Sequence, residues 1–158
     1  MSELSSESDI IAEAVRIAAE QPGGTLATMH AEDGTPYVTF VFCHVDDQCR
    51  VVFGSRSSPQ HFVNMEATPE VSFLVDNREV IRDDWKQFDR VVIEGRAAKV
   101  ERDDPRYSEL LEALRAKNAL AAQFSEEGEL FCIQPRRLQV RKGVDPARYV
   151  VDFGITAR

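Results

Sequence analysis

Residues 51–75, VVFGSRSSPQHFVNMEATPEVSFLV, decide how this chain is built. The stretch begins within Arg50 to Ser55, a run of β-branched and aromatic residues that reads as a strand. Arg56 to Thr68 breaks that pattern. Ser58 is placed to cap a short helix there. Pro59 suits its first position, because a missing N–H costs nothing at a helix start. Phe62 and Met65 would then face inward. Val71 to Val75 returns to a strand. The order is strand, hydroxyl-rich loop, short helix, strand.

Working outward, the N-terminal segment reads as a helix. Ser6 caps it with Asp9 as partner, and Ile11, Ala14, Val15 and Ala18 form one apolar stripe. Pro22-Gly23-Gly24 ends it. Thr25 to His30 is a strand, Asp33-Gly34 is a hairpin turn, and Tyr37 to Val45 is a strand rich in aromatic and β-branched residues. With Arg50 to Ser55 these make three strands of an antiparallel meander.

Asp76 to Asp89 is a charged connection around Trp85 and Phe88. Arg90 to Glu101 is a long strand with a bulge or bend at Gly95. Asp104 and Pro105 open a second helix whose apolar face is Tyr107, Leu110, Leu111, Leu114 and Ala121. Leu130 to Ile133 and Leu138 to Val140 are two strands separated by Pro135. Lys142 to Arg158 carries little pattern. Six or seven short strands with flanking helices favour a mainly β barrel or sandwich. Strands without intervening helices, and the missing glycine fingerprint, argue against a dinucleotide-binding sheet. The expected organisation is one domain over 1–158: a helix to 23, a barrel over 24–141 and a tail over 142–158.

The 158 residues suit one domain. A formal charge of -8 repels phosphate backbones, so bulk nucleic-acid binding is not expected. The first ten residues lack the positive and apolar regions of a secretory signal, and no run is long enough to span a bilayer. Cys43, Cys49 and Cys132 are odd in number and scattered, which argues for structural thiols in a reducing, cytoplasmic setting.

The loop GSRSSPQH carries the chemistry. It leaves a strand and enters a helix N-terminus, where exposed N–H groups and the helix dipole favour an anion. Ser55, Ser57 and Ser58 add hydroxyls, Arg56 adds a planar fork suited to phosphate, and His61 adds a further donor. The same residues also suit a plain capped helix with a surface arginine. Trp85 and Phe88 read either as a local anchor for their loop or as an aromatic lid. His30 and His44 read as ordinary strand residues. No Ser-His-Asp set or paired carboxylates stand out.

Three strings together, GTLATMHAEDGTPYVTFVF, VVFGSRSSPQHFVNMEATPEVSFLV and RVVIEGRAAKV, are similar to the pyridoxamine 5'-phosphate oxidase-like, FMN-binding split-barrel superfamily. The resemblance runs from about Gly24 to Val140. It implies a split β-barrel, antiparallel and Greek-key-like, that forms an obligate homodimer with FMN at the seam. It implies that Ser55, Arg56, Ser57, Ser58 and His61 hold the phosphate. The helix asparagine of the motif falls on Asn64. The flavin ring would lie along Val38, Thr39, Phe40 and Val41 and along Phe53-Gly54, with Trp85 and Arg90 in the region used for the partner's flavin. The implied activity is an FMN-dependent oxidoreductase acting on a small molecule.

Two departures matter. Many members place a lysine where this chain has His61, and the strand Tyr37 to Phe42 lacks the basic pair of true pyridoxamine 5'-phosphate oxidases. His61 resembles the haem-utilisation branch instead. Haem and the deazaflavin F420 therefore stand beside FMN as cofactors, and a non-catalytic flavin-binding module stands beside the enzyme.

Overall fold

The computed structural model describes residues 4–154. Helix α1 (Glu7–Ala19) begins where Ser6 Oγ accepts the Asp9 N–H, and it buries Ile10, Ala14, Ile17 and Ala18. Eight strands follow: β1 (Gly23–Met29), β2 (Pro36–Phe42), β3 (His44–Val45), β4 (Val51–Ser55), β5 (Glu70–Asp76), β6 (Arg90–Val100), β7 (Glu129–Arg141) and β8 (Tyr149–Asp152). Helix α2 (Gln60–Ala67) joins β4 to β5, and the four-residue α3 (Arg78–Ile81) lies between β5 and β6. Helices α4 (Tyr107–Lys117) and α5 (Ala119–Glu127) lie between β6 and β7. No helix of the described residues is long and apolar enough to cross a membrane.

The strands form one antiparallel sheet in the order β2-β1-β5-β6-β7-β4-β3, with β8 added to β7. The fold is mainly β, a curled split barrel. Alternate residues of its concave face, including Leu26, Phe73, Val75, Val91, Ile93, Leu138 and Val140, form one core with the apolar stripe of α1. Leu110, Leu111, Leu114, Ala121 and Ala122 cover Val52, Val100, Leu130 and Cys132 on the opposite face. Lys142 clasps α1 through Glu13 (2.5 Å) and also reaches Asp89 (2.8 Å). Lys117 Nζ donates to the Ala18 and Ala19 carbonyls at the end of α1, at 3.2 and 2.8 Å. A cation there satisfies carbonyls that have no helical partner.

Several expectations change. The first three predicted strands are not a meander: β2 pairs only with β1, and β3-β4 lie at the far end of the strand order. The run 37–45 breaks at Cys43, whose N–H donates to the Pro22 carbonyl. The helix predicted from Asp104 begins at Tyr107, after Asp104 accepts the Arg106 N–H. It is two helices. Asn118 takes an extended conformation and its Oδ1 accepts the N–H groups of Leu120 and Ala121, which ends α4 and starts α5. Pro135 does not divide a strand. Gly95 faces Pro135 while Glu94 faces Arg137, so Arg136 bulges out where proline offers no ladder donor. The predicted bend at Gly95 is this register shift. The tail is also ordered through β8. Its last residues, 155–158, lie outside the described residues.

Candidate functional site

The two edges of the sheet approach each other without a ladder between them among the described residues, and a cavity opens in that split. It has a volume of about 180 Å³ and is lined by Phe40, Val41 and Phe42 of β2, Gly54, Ser55 and Arg56 at the end of β4, Pro59 and His61 at the start of α2, and Phe124 of α5. Six predicted site residues therefore meet: Phe40, Val41, Gly54, Ser55, Arg56 and His61.

The short helix is entered differently from the expectation. Pro59, not Ser58, is its N-cap, and no side chain caps it. Ser57 and Ser58 are exposed and do not line the cavity. The backbone N–H groups of Gln60 and His61 have no hydrogen-bond partner among the described residues. Such unsatisfied first-turn donors are what an anion meets at a helix start.

Arg56 is held from one side. Its Nε donates to Glu127 Oε2 at 2.5 Å, and its guanidinium carbon sits 4.9 Å from the centre of the Phe124 ring. Neither Nη nitrogen makes a hydrogen bond among the described residues. Ser55 Oγ donates to the Arg56 carbonyl (2.7 Å) and meets His61 Nε2 at 2.9 Å. With the hydroxyl proton on that carbonyl, Nε2–H of His61 donates to Ser55 and Nδ1 is left as an acceptor. Burial pushes the His61 pKa below its ordinary 6.5, so the ring is neutral near neutral pH. His61 is therefore not a second cation beside Arg56.

The other predicted residues lie elsewhere. Phe53 is fully buried and stacks on Phe131 at 5.5 Å, which makes it a core residue. Asn64 is also fully buried. Its Oδ1 accepts from Ala31 N–H and Gln60 Nε2, and its Nδ2 donates to Thr28 Oγ1, so it pins α2 to β1. Thr39 is half-buried opposite Leu26, and Val38 is 63% exposed on the outer face of β2.

Trp85 is 59% exposed and packs edge-on against Phe88, whose ring lies 5.2 Å from the Arg90 guanidinium. Arg90 opens β6, where it pairs with Asp76 of β5. Neither Trp85 nor Arg90 lines this cavity within one chain.

Three lining residues were not foreseen: Phe42, Pro59 and Phe124. Pro59 and Phe42 adjoin predicted positions. Phe124 comes from α5, whose apolar face runs on from that of α4, so that the sequence pattern does not separate the two helices. The thiols of Cys43 and Cys49 are pushed up to about 12 by burial, and that of Cys132 to about 11, so none is a reactive thiolate. No metal-binding cluster of His, Cys, Asp or Glu occurs among the described residues.

A family model described as pyridoxamine 5'-phosphate oxidase matches residues 10–141. The chain belongs to the pyridoxamine 5'-phosphate oxidase family. No curated protein matches its sequence. Among solved members of this fold, a haem-binding protein from Mycobacterium smegmatis superposes with a TM-score of 0.79 at 21% identity, covering 96% of this chain and 60% of that one. This chain thus spans less than two thirds of that relative. The haem storage protein HutZ from Vibrio cholerae gives 0.62 at 19% identity, with 90% and 91% covered. An FAD-binding protein from Mesorhizobium loti gives 0.64 at 20%, with 82% and 91% covered. These likenesses establish the fold of the pyridoxamine 5'-phosphate oxidase family for this chain.

Proposed function

We propose that this chain binds FMN as a homodimer and acts as an oxidoreductase on a small molecule. The observation that carries the reading is the anion corner of the split: Arg56 with two uncommitted Nη nitrogens, beside the open N–H groups of Gln60 and His61. One guanidinium and several backbone donors suit the phosphate of a flavin nucleotide. The cavity, about 180 Å³, is smaller than the ~300 Å³ from which ligand pockets usually start. It suits the phosphate and side-chain end, with the ring passing outward over Phe40.

The exposed ring end would be covered by a second copy, which is how Trp85 and Arg90 come to bear on a flavin. Bound flavin supplies the hydride and electron chemistry, and the chain supplies binding, orientation and exclusion of water. Val41, Phe42 and Phe124 wall the cavity with apolar surface, and neutral His61 offers an acceptor at Nδ1. Buried free thiols fit work in the reducing cytoplasm.

One observation favours haem as a second reading. A neutral histidine facing a cavity lined by three phenylalanines is also a haem environment. The as-purified absorbance spectrum separates the two, since a flavin band supports FMN or the deazaflavin and a haem band supports haem. Arg56→Ala provides the direct test. FMN affinity should fall about tenfold or more, as for loss of a charge-assisted contact, while riboflavin affinity holds. Equal loss of both flavins, or of neither, would overturn the phosphate assignment.

A further inference from the structure

Helix α5 does more than wall the cavity. Gly54 and Gly128 seat it: a Cβ at Gly54 would lie 2.2 Å from Ser125 Oγ, and one at Gly128 would lie 2.1 Å from the Ser55 carbonyl oxygen. The end of α5 is thus fixed directly against Ser55 and Arg56. From that seat Glu127 takes Arg56 Nε, and the Phe124 ring lies against the guanidinium. The other carboxylate oxygen of Glu127 accepts Gln123 Nε2 at 2.8 Å, one turn back on the same helix. Gln123, Glu127 and Arg56 make one chain of hydrogen bonds. Hydrogen bonds from Gln123 and Arg56 also hold Glu127 below the ordinary carboxylate range, so it is ionised at neutral pH.

An exposed ion pair of this kind contributes little to stability. Its effect is on geometry. An arginine loses considerable side-chain freedom when it grips a ligand, and an arginine already held loses less. The guanidinium has several donor edges. Glu127 occupies the one at Nε and leaves the two Nη nitrogens for an incoming anion.

We propose that Glu127 is a positioning residue for Arg56, which it holds with its outer edge presented to the phosphate of the bound nucleotide. The proposal rests on the FMN reading above. It opposes the alternative in which Glu127 competes with phosphate for the arginine.

The test compares Glu127→Ala, Glu127→Gln and Arg56→Ala by equilibrium titration of the full-length protein with FMN and with riboflavin, which lacks the phosphate. Glu127→Ala should weaken FMN binding roughly tenfold and leave riboflavin binding unchanged. Glu127→Gln keeps an acceptor for Nε and should restore FMN affinity to within about threefold of the native protein. A merely structural role would move both flavins together. FMN binding by Glu127→Ala that is unchanged or tighter overturns the proposal, as does failure of the glutamine variant to rescue. If Arg56→Ala loses FMN selectivity and Glu127→Ala does not, only the positioning role falls. If Arg56→Ala keeps that selectivity, the phosphate assignment falls with it.

Discussion

His61 shows how burial changes the meaning of a single residue. In the sequence it reads as a donor beside Arg56. In the fold its Nε2 belongs to Ser55, and its pKa is lowered by desolvation. The folded state therefore resists a proton that the unfolded chain accepts. The stabilising contribution of the neutral ring is present above about pH 6.5 and is lost as pH falls below it. His44 is depressed in the same direction by burial and by nearby Lys117, so it adds to the effect. Chemical denaturation between about pH 7 and about pH 5 should show falling stability, and His61→Gln should flatten part of that fall. An unchanged slope would show that His61 titrates freely. Ser55, Arg56 and His61 of the cavity are legible in the sequence because a hydroxyl, an arginine and a histidine around a helix start have a local signature. Phe53 and Asn64 fall outside the cavity because the same short motif also contains core and pinning residues, and only burial separates them.

At the scale of elements, the sequence marks helices and strands well where their period is uninterrupted, as in α1, β1 and β6. It fails where two elements abut. The α4-α5 break depends on one asparagine, and an apolar face that continues across it conceals the break. The continuity of β7 through Pro135 depends on a bulge that exists only opposite Gly95. Neither the Asn118 conformation nor that pairing can be seen without neighbours. The seat of α5 on β4 gives a sharp prediction. In Gly54→Ala the new methyl would overlap the Ser125 backbone nitrogen at 2.5 Å as well as its hydroxyl. Overpacking of this kind costs about 1–3 kcal/mol, so the thermal midpoint should drop by several degrees. A melt identical to that of the native protein would mean that α5 shifts without cost. Because Arg56 is tethered to α5, the same variant should also bind FMN less tightly.

For the whole molecule, the outer face of the sheet leaves Val38, Phe40 and Val150 exposed by 63%, 53% and 44%. The proposed homodimer would cover them. Val38→Asp places a charge on that face without touching the cavity lining, so sedimentation should shift from dimer to monomer, with loss of FMN. A variant that remains dimeric with its flavin would exclude this face. The barrel class was legible as a count of short strands with turns, but strand order was not, because turn residues do not say which edge a strand will join. The clasp on α1 has one more consequence. Its lysines lie 98 and 129 positions beyond the residues they hold, and the final strand packs against the same helix. During synthesis α1 must wait, with its oily side bare, until β8 has been made. Contacts of such long range slow folding, which makes nascent chains of this protein natural clients for a chaperone that shields α1 until β8 emerges.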